Sequence, residues 1–261
     1  MSYVLVIIAS LAVSALTFFS GFGLGTLLLP VFALFFSMPV AVAATAVIHL
    51  FNNLVKVVLV GKYLSPRVVL LFGIPAACAA IGGAWLLGNL STSSYLIAYE
   101  IFGNRFSIFP VKLVIGVLMI LFAFFELSPA LDRYSLSERW IPLGGLLSGF
   151  FGGLSGHQGA LRTIFLTRAG LDRDAFVGTI TVVAVLVDVV RVTVYGVSFW
   201  DSHFIAVEGT SLGLVITACG SALAGSIIGS RLLTKMTMRK LRYIIGTLLF
   251  FVGIGLAMGI L

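Results

Sequence analysis

Residues 140–168 read WIPLGGLLSGFFGGLSGHQGALRTIFLTR. The stretch is apolar enough to enter a membrane, yet its centre at residues 152–159 (GGLSGHQG) is rich in glycine. Because clustered glycines disfavour a continuous helix, we expect two short helices around a break. Residues 3–37 have the same organisation, since the segment 20–25 (SGFGLG) interrupts a second apolar stretch.

The composition of the whole chain is that of a membrane protein. Of its 261 residues 60% are hydrophobic and 10% are charged, whereas a soluble domain is about 25% charged. A membrane helix takes roughly 20 residues. Further apolar stretches of that order lie at 39–61, 66–88, 110–127, 174–196, 207–231 and 241–260. We therefore expect an all-α, polytopic membrane protein with no room for a soluble catalytic or nucleic-acid-binding domain, and with the insertion 89–109 at the membrane interface.

The positions of Lys and Arg predict the orientation in the membrane. If both broken stretches turn back as hairpins, most basic loops share one side, and only Arg105 and Lys112 lie opposite. The positive-inside rule then places the basic loops in the cytoplasm and both termini outside. We expect a multi-pass protein of the inner cell membrane, and we attribute the net charge of +7 to this anchoring.

This topology predicts an inverted repeat, because the first half begins outside and the second half begins inside. A shift of 135 positions aligns several rare polar residues: Ser20-Gly21 with Ser155-Gly156, Asn53 with Asp188, and Lys56 with Arg191. The expected organisation is a first transmembrane repeat at 1–127, a cytoplasmic linker at 128–139 and a second repeat at 140–261.

The two breaks predict an anion-binding site. Backbone groups freed inside a membrane are costly unless protein, water or ligand satisfies them. New half-helices begin near residues 24 and 158, and their exposed N–H groups and positive dipole ends favour an anion. The two ends would meet near the membrane midplane. The alternative is that the glycines only allow helices to pack closely.

Polar side chains on two helices are expected to face this site, because ionisable groups at membrane depth usually face a cavity or a partner. One stripe comprises Thr45, His49, Asn52, Asn53 and Lys56, and the other comprises Thr181, Asp188, Arg191 and Tyr195. Three alternatives stay open. Lys56 and Arg191 could reach the membrane interface, Asp188 could simply neutralise Arg191, and His49 could make an ordinary interhelical hydrogen bond.

Arg162 is the most specific cation, because a guanidinium binds oxyanions bidentately; the alternative is that it reaches the cytoplasmic rim. For proton coupling we favour His49 as the carrier, since imidazole changes charge near neutral pH, with Asp188 as the structural partner of Arg191. No metal or cofactor is expected. The predicted substrate-binding residues are Ser20, Gly21, Phe22, Gly23, Gly25, His49, Asn52, Asn53, Lys56, Ser155, Gly156, His157, Gln158, Arg162, Asp188 and Arg191.

Three segments together resemble the sulfite exporter TauE/SafE family of integral membrane transporters. They are residues 20–30 (SGFGLGTLLLP), residues 43–56 (AATAVIHLFNNLVK) and the glycine-rich second break. The resemblance covers most of the chain. It implies movement of small sulfur-containing anions, such as sulfite or organosulfonates, across the cell membrane.

The expected function is therefore secondary transport, most simply export, of a small anion rather than catalysis. The chain contains no Walker A motif for nucleotide binding. The alternatives are a passive anion channel and an intramembrane serine hydrolase, the latter because residues 153–156 (GLSG) and the spacing of His49 and Asn53 match short protease elements. The expected partners are a small anionic substrate and the lipid bilayer, with no nucleic acid and with a homodimer left open.

Overall fold

The computed structural model describes residues 2–17, 24–128, 136–167, 169–200, 209–232 and 238–261. The described chain is a bundle of helices with one small β-hairpin. The helices are α1 (Ser2–Thr17), α2 (Leu24–Ala33), α3 (Met38–Val60), α4 (Pro66–Val68), α5 (Ile74–Ser91), α6 (Pro110–Leu127), α7 (Ile141–Ser155), α8 (Gly159–Leu166), α9 (Arg173–Trp200), α10 (Gly209–Leu232) and α11 (Met238–Ala257).

Several helices are long and apolar enough to cross a membrane. Those of at least 18 residues are Met38–Tyr63, Pro66–Ser91, Pro110–Leu127 and Arg173–Val197. Shorter apolar helices are Tyr3–Thr17, Leu24–Ala33, Gly213–Gly229 and Arg242–Ala257. The expected all-α, polytopic membrane architecture is confirmed. The second glycine-rich stretch contains two separate helices, α7 and α8. In the first stretch α1 and α2 lie on either side of residues 18–23, which are outside the described residues.

The helix after the first basic loop is irregular. A π-helical segment, Val69–Gly73, joins α4 to α5. Pro75 lies in the first turn of α5. Because proline has no N–H to continue the regular hydrogen-bond ladder, it accounts for the local change of helix type.

Glycines bring pairs of helices into backbone contact. A Cβ atom on Gly149 of α7 would overlap the carbonyl oxygen of Ala76 on α5, and one on Gly225 of α10 would overlap that of Leu11 on α1. Close packing by small residues is typical of membrane helices. The alternative interpretation of the glycines, close helix packing, is thus correct for part of the second stretch, since Gly153 in the last turn of α7 also lies against α5.

A β-hairpin lies between α5 and α6, where the sequence predicts only an interfacial insertion. Strands β1 (Ile97–Ile101) and β2 (Asn104–Ile108) are antiparallel. Phe102 and Gly103 form the two-residue turn with φ of 52° and 76°, which suits the right-handed twist of a hairpin. The Tyr99 hydroxyl donates to the Met258 carbonyl, so the hairpin rests on the end of α11.

Candidate functional site

The second break has a defined backbone geometry. Helix α7 ends at Ser155, and Gly156 takes a left-handed conformation with φ of 81°, which is costly for residues with a side chain. Helix α8 begins at Gly159. The Leu136 amide donates to the Ile164 carbonyl at 3.5 Å, so the end of α8 lies beside the start of α7 and the stretch turns back.

The first break falls largely outside the described residues. Ser20, Gly21, Phe22 and Gly23 are not among them, and their predicted role stays a prediction. Gly25, in the first turn of α2, is described. A Cβ atom there would lie 3.8 Å from each of three atoms: the Gly156 carbonyl oxygen, the His49 ring and the Thr45 methyl group. The start of α2 therefore meets the second break inside the bundle.

Asp188 is the centre of a buried polar network. His49 Nδ1 lies 2.6 Å from Asp188 Oδ2, and Arg191 Nε donates to Asp188 Oδ1 at 2.9 Å. Asn53 Nδ2 donates to Asp188 Oδ2 at 3.3 Å. A carboxylate accepts hydrogen bonds only, so the Nδ1 atom of His49 carries the proton of their shared bond. The Asp188–Arg191 pair and an interhelical bond of His49 are thus both present, and the predicted roles of these residues in substrate binding and proton coupling stay predictions.

Asn52 does not join this network. Its Oδ1 atom accepts from Ser14 at 3.2 Å and from Ser226, which joins α3 to α1 and α10. Successive residues of a helix point about 100° apart, so Asn52 and Asn53 face different neighbours. The sequence missed Ser14 and Ser226, because isolated serines in apolar helices give no functional signal.

The three central cations are buried. The exposed fractions are 5% for Lys56, 3% for Arg162 and 1% for Arg191. None of the three extends to the surface of the described bundle, which argues against side chains that reach out to the membrane interface. Lys56 Nζ donates to the Thr17 carbonyl at 3.4 Å, and Arg191 Nη1 donates to the Gly152 carbonyl at 3.3 Å.

Gln158 and Arg162 leave buried donors without a partner in the described structure. Arg162 Nη2 donates to Gln158 Oε1, and Nη1 donates to the Ile180 carbonyl at 3.4 Å. A guanidinium has no acceptor, so Gln158 must present its oxygen to Arg162. This orientation leaves Gln158 Nε2 and Arg162 Nε buried without a hydrogen-bond partner among the described residues. The hydroxyl of Thr45 is likewise buried without a hydrogen-bond partner among the described residues.

His157 and Ser155 form a contact that bears on the hydrolase alternative. Ser155 Oγ donates to the Phe151 carbonyl at 3.1 Å, and His157 Nδ1 lies 3.0 Å from Ser155 Oγ. The His157 ring stacks on Phe122, with centroids 5.5 Å apart. A nucleophilic serine needs a base that a third group orients. No described residue bonds His157 Nε2, so the described contacts do not provide this arrangement.

The described residues contain no group of three or more His, Cys, Asp or Glu side chains that could hold a metal ion. The site is instead a set of hydrogen-bond donors and cations around one carboxylate. Phe122 is a further residue that the sequence missed, because an aromatic side chain in an apolar helix is ordinary.

Comparison with known proteins places the chain in a family. The model of the family described as sulfite exporter TauE/SafE matches residues 6–256. No curated protein and no solved structure matches the chain. Members of the matching family are membrane transporters rather than enzymes, and the match covers almost the full length. The chain belongs to the sulfite exporter TauE/SafE family.

Proposed function

We propose that this protein is a secondary transporter that exports a small oxyanion, sulfite or an organosulfonate, across the inner cell membrane. The anion binds where the start of α2 meets the second break. The observation that carries the proposal is the pair of buried, unpartnered donors Gln158 Nε2 and Arg162 Nε. An unpartnered buried donor costs about 1–3 kcal/mol, and an oxyanion would satisfy both.

Charge supports an anionic ligand. Lys56, Arg162 and Arg191 contribute three positive charges to the described centre of the bundle, and Asp188 contributes one negative charge. If His49 is neutral, the net charge of these four side chains is +2. Buried charge without a counter-charge is costly, and an anion at this point would reduce the excess.

The backbone supports the same location. Helices α2 and α8 both begin at a break, and helix N-termini favour anions through their free N–H groups and dipole. Gly25 and Gly156 lie against each other at this point. We propose that Ser20, Gly21, Phe22, Gly23, Ser155 and His157 complete the site.

We also propose the inverted repeat, with units 1–127 and 140–261 joined by the linker 128–139. A twofold axis would exchange the pair α5 and α7 with the pair α10 and α1, and each of these pairs packs closely in the bundle. It would map the pairs α3 with α9 and α6 with α11 onto themselves. In the α6–α11 pair, a Cβ atom on Gly116 would lie 2.6 Å from the Gly253 carbonyl oxygen, and one on Gly253 would lie 2.8 Å from the Gly116 carbonyl oxygen.

Contacts between loops support the proposed orientation. Arg67, in the first basic loop, lies 3.2 Å from Glu138 at the end of the linker, so these two segments share a side. The hairpin lies with the chain end at Met258. We propose that the first side is cytoplasmic, with both termini outside. Reporter fusions at residues 64, 135 and 236 are expected to give a cytoplasmic signal, and opposite sides for 64 and 236 would overturn the topology.

A binding assay with matched variants tests the site. Purified protein is heated with sulfite, thiosulfate, sulfonates or carboxylates, since a ligand that binds only the native state raises apparent stability. Arg162→Met removes a charge-assisted contact of about 1.5–3 kcal/mol and is expected to weaken sulfite binding by the corresponding factor. Arg67→Met removes the same charge from an exposed position and is the control. Equal sulfite affinity in both variants would move the site elsewhere.

Transport in proteoliposomes separates the transporter from a passive channel. A coupled transporter accumulates sulfite against its gradient when an ion gradient is imposed, whereas a channel only equilibrates the sulfite concentration. A homodimer stays a prediction, which the mass of the purified protein in detergent would test.

A further inference from the structure

The last turn of α7 is bound by side chains from α9. Arg191 Nη1 donates to the Gly152 carbonyl at 3.3 Å, and the Tyr195 hydroxyl donates to the Gly153 carbonyl. The last four carbonyls of a helix lack intrahelical partners and carry the negative end of its dipole. The Gly152 carbonyl also accepts from the Gly156 amide at 2.9 Å, so Arg191 adds a second hydrogen bond there, while Tyr195 supplies a side-chain donor to the Gly153 carbonyl. A guanidinium and a phenol from one face of α9 thus bind the carbonyl end of α7.

The last turn of α1 has a corresponding contact. Thr17 is the final residue of α1, and its carbonyl accepts from Lys56 Nζ at 3.4 Å. Lys56 lies on α3, the helix that crosses α9 at the centre of the bundle. A cation again lies at the negative end of a half-helix, directly before a break.

The two contacts occupy matching positions in the chain. The shift of 135 residues that aligns Lys56 with Arg191 also aligns Thr17 with Gly152. It aligns Asn53 with Asp188 as well, and these two side chains contact each other at 3.3 Å. Residues related by a twofold axis meet only where they lie close to that axis. Both the cations and the carbonyls they bind therefore fit the proposed internal repeat.

We infer that Lys56 and Arg191 are positioning residues that hold the C-terminal ends of α1 and α7, and that Arg162 is the cation that contacts the anion. This inference rests on the proposed anion site and deepens it. Arg191 also binds Asp188 through Nε. Arg191 Nη2 makes no hydrogen bond among the described residues, but it lies 2.8 Å from the Asp188 carboxylate, whereas Arg162 Nε has no partner in the described structure.

The arrangement has an electrostatic consequence for the bound anion. The carbonyl end of α7 lies close to the N-terminal end of α8, because only residues 156–158 separate them. Thr17, at the end of α1, and Leu24, at the start of α2, are likewise only seven positions apart in the chain. Free carbonyls would repel an anion, and a bound cation removes that repulsion. Lys56 and Arg191 thus offset the negative charge of the helix ends near the site, while the positive ends face the anion.

Hydrogen exchange measured by mass spectrometry tests the positioning role without a transport assay. Lys56→Met is expected to accelerate exchange of amides 13–17 by about ten- to hundredfold, the factor that corresponds to one lost charge-assisted bond. Amides 151–156 are expected to stay unchanged. Lys56→Arg, which keeps a cationic donor, is expected to restore most of the protection. Unchanged exchange at 13–17 in Lys56→Met would overturn the inference.

A second pair of variants tests the other half. Tyr195→Phe removes one donor to α7 without changing the charge, and it is expected to accelerate exchange at 151–156 alone. Arg191→Met is expected to accelerate exchange at the same amides, and Tyr195→Phe keeps the test open if Arg191→Met fails to fold. Arg162→Met is expected to weaken sulfite binding with no change at either helix end. Loss of sulfite binding in every variant, with unchanged exchange, would make Lys56 and Arg191 direct ligands. If wild-type protein binds no sulfite, the proposed function fails, but the exchange result still decides the positioning role.

Discussion

Helices α3 and α9 cross at the centre of the bundle and carry equivalent positions with different chemistry. On α3 the pair is Asn53 and Lys56, and on α9 it is Asp188 and Arg191. Both cations bind a carbonyl at the end of a half-helix, but only α9 supplies a carboxylate. Asp188 serves both helices, since it contacts His49 and Asn53 as well as Arg191.

The difference shows how the site keeps its positive charge. If residue 53 were also acidic, two carboxylates would face the three cations, and most of the charge available to an anion would be neutralised. A neutral amide at residue 53 keeps the hydrogen bond to Asp188 without adding a negative charge. We arrange the following predictions by the expected change in stability, from the largest to the smallest.

Removal of Asp188 is expected to have the largest effect. Asp188→Ala leaves Arg191 and His49 without their acceptor, and breaking a buried ion pair typically costs about 3–5 kcal/mol. Thermal unfolding in detergent measures the loss. Asp174→Ala, at an exposed position in the first turn of α9, is the control and is expected to cost less than about 1 kcal/mol. Similar melting temperatures for the two variants would contradict the central role of Asp188.

Moving the carboxylate to the other helix sharpens the comparison. Asp188→Asn alone removes the negative charge, and the double variant Asn53→Asp/Asp188→Asn returns it at the equivalent position. Because the two side chains lie 3.3 Å apart, we expect the double variant to recover about half of the stability lost in Asp188→Asn, given that exchanged partners couple by about 0.5–3 kcal/mol. No recovery would show that the two positions are not interchangeable.

A Gly156→Ala variant tests how rigidly Arg191 packs against the second break. Gly156→Ala forces a side chain into a left-handed conformation, at a cost of about 1–2 kcal/mol. The new Cβ atom would also lie 2.8 Å from Arg191 Nη1. Gly170→Ala is a matched control, because φ is also positive there and no atom lies within 4 Å of the new Cβ. We expect Gly156→Ala to be the less stable variant, and equal stability would mean that Arg191 moves freely.

Of these variants, His49→Gln is expected to have the smallest effect on the free energy of unfolding and the largest effect on the coupling of sulfite transport to protons. Glutamine can still donate to Asp188, but it cannot take up a proton near neutral pH. We expect proteoliposomes with this variant to lose accumulation of sulfite driven by a pH gradient. His157→Gln replaces the other central histidine and is the comparison. Full proton-driven accumulation in His49→Gln would refute the assignment, and a wild type that ignores the pH gradient would exclude proton coupling.

Much of the architecture could be predicted from the sequence. Hydrophobicity and glycine clustering are local properties, so the long apolar helices and the two breaks are visible without a structure. Rare polar residues in apolar helices were also informative, since His49, Asn53, Asp188 and Arg191 do come together. The hairpin at 97–108 was missed, because its short strands lie in a segment without strong alternation of polar and apolar residues.

The sequence by itself determined that this is a helical membrane protein with two broken stretches, because a bilayer requires long apolar helices and glycine clusters weaken them. Only the tertiary structure decided what each polar side chain binds. Asn52 contacts serines, Lys56 contacts a carbonyl, and Arg162 keeps a donor without a partner among the described residues. These outcomes depend on segments that are distant in sequence, and a polar residue on a helix face shows that it needs a partner without showing which partner the fold supplies.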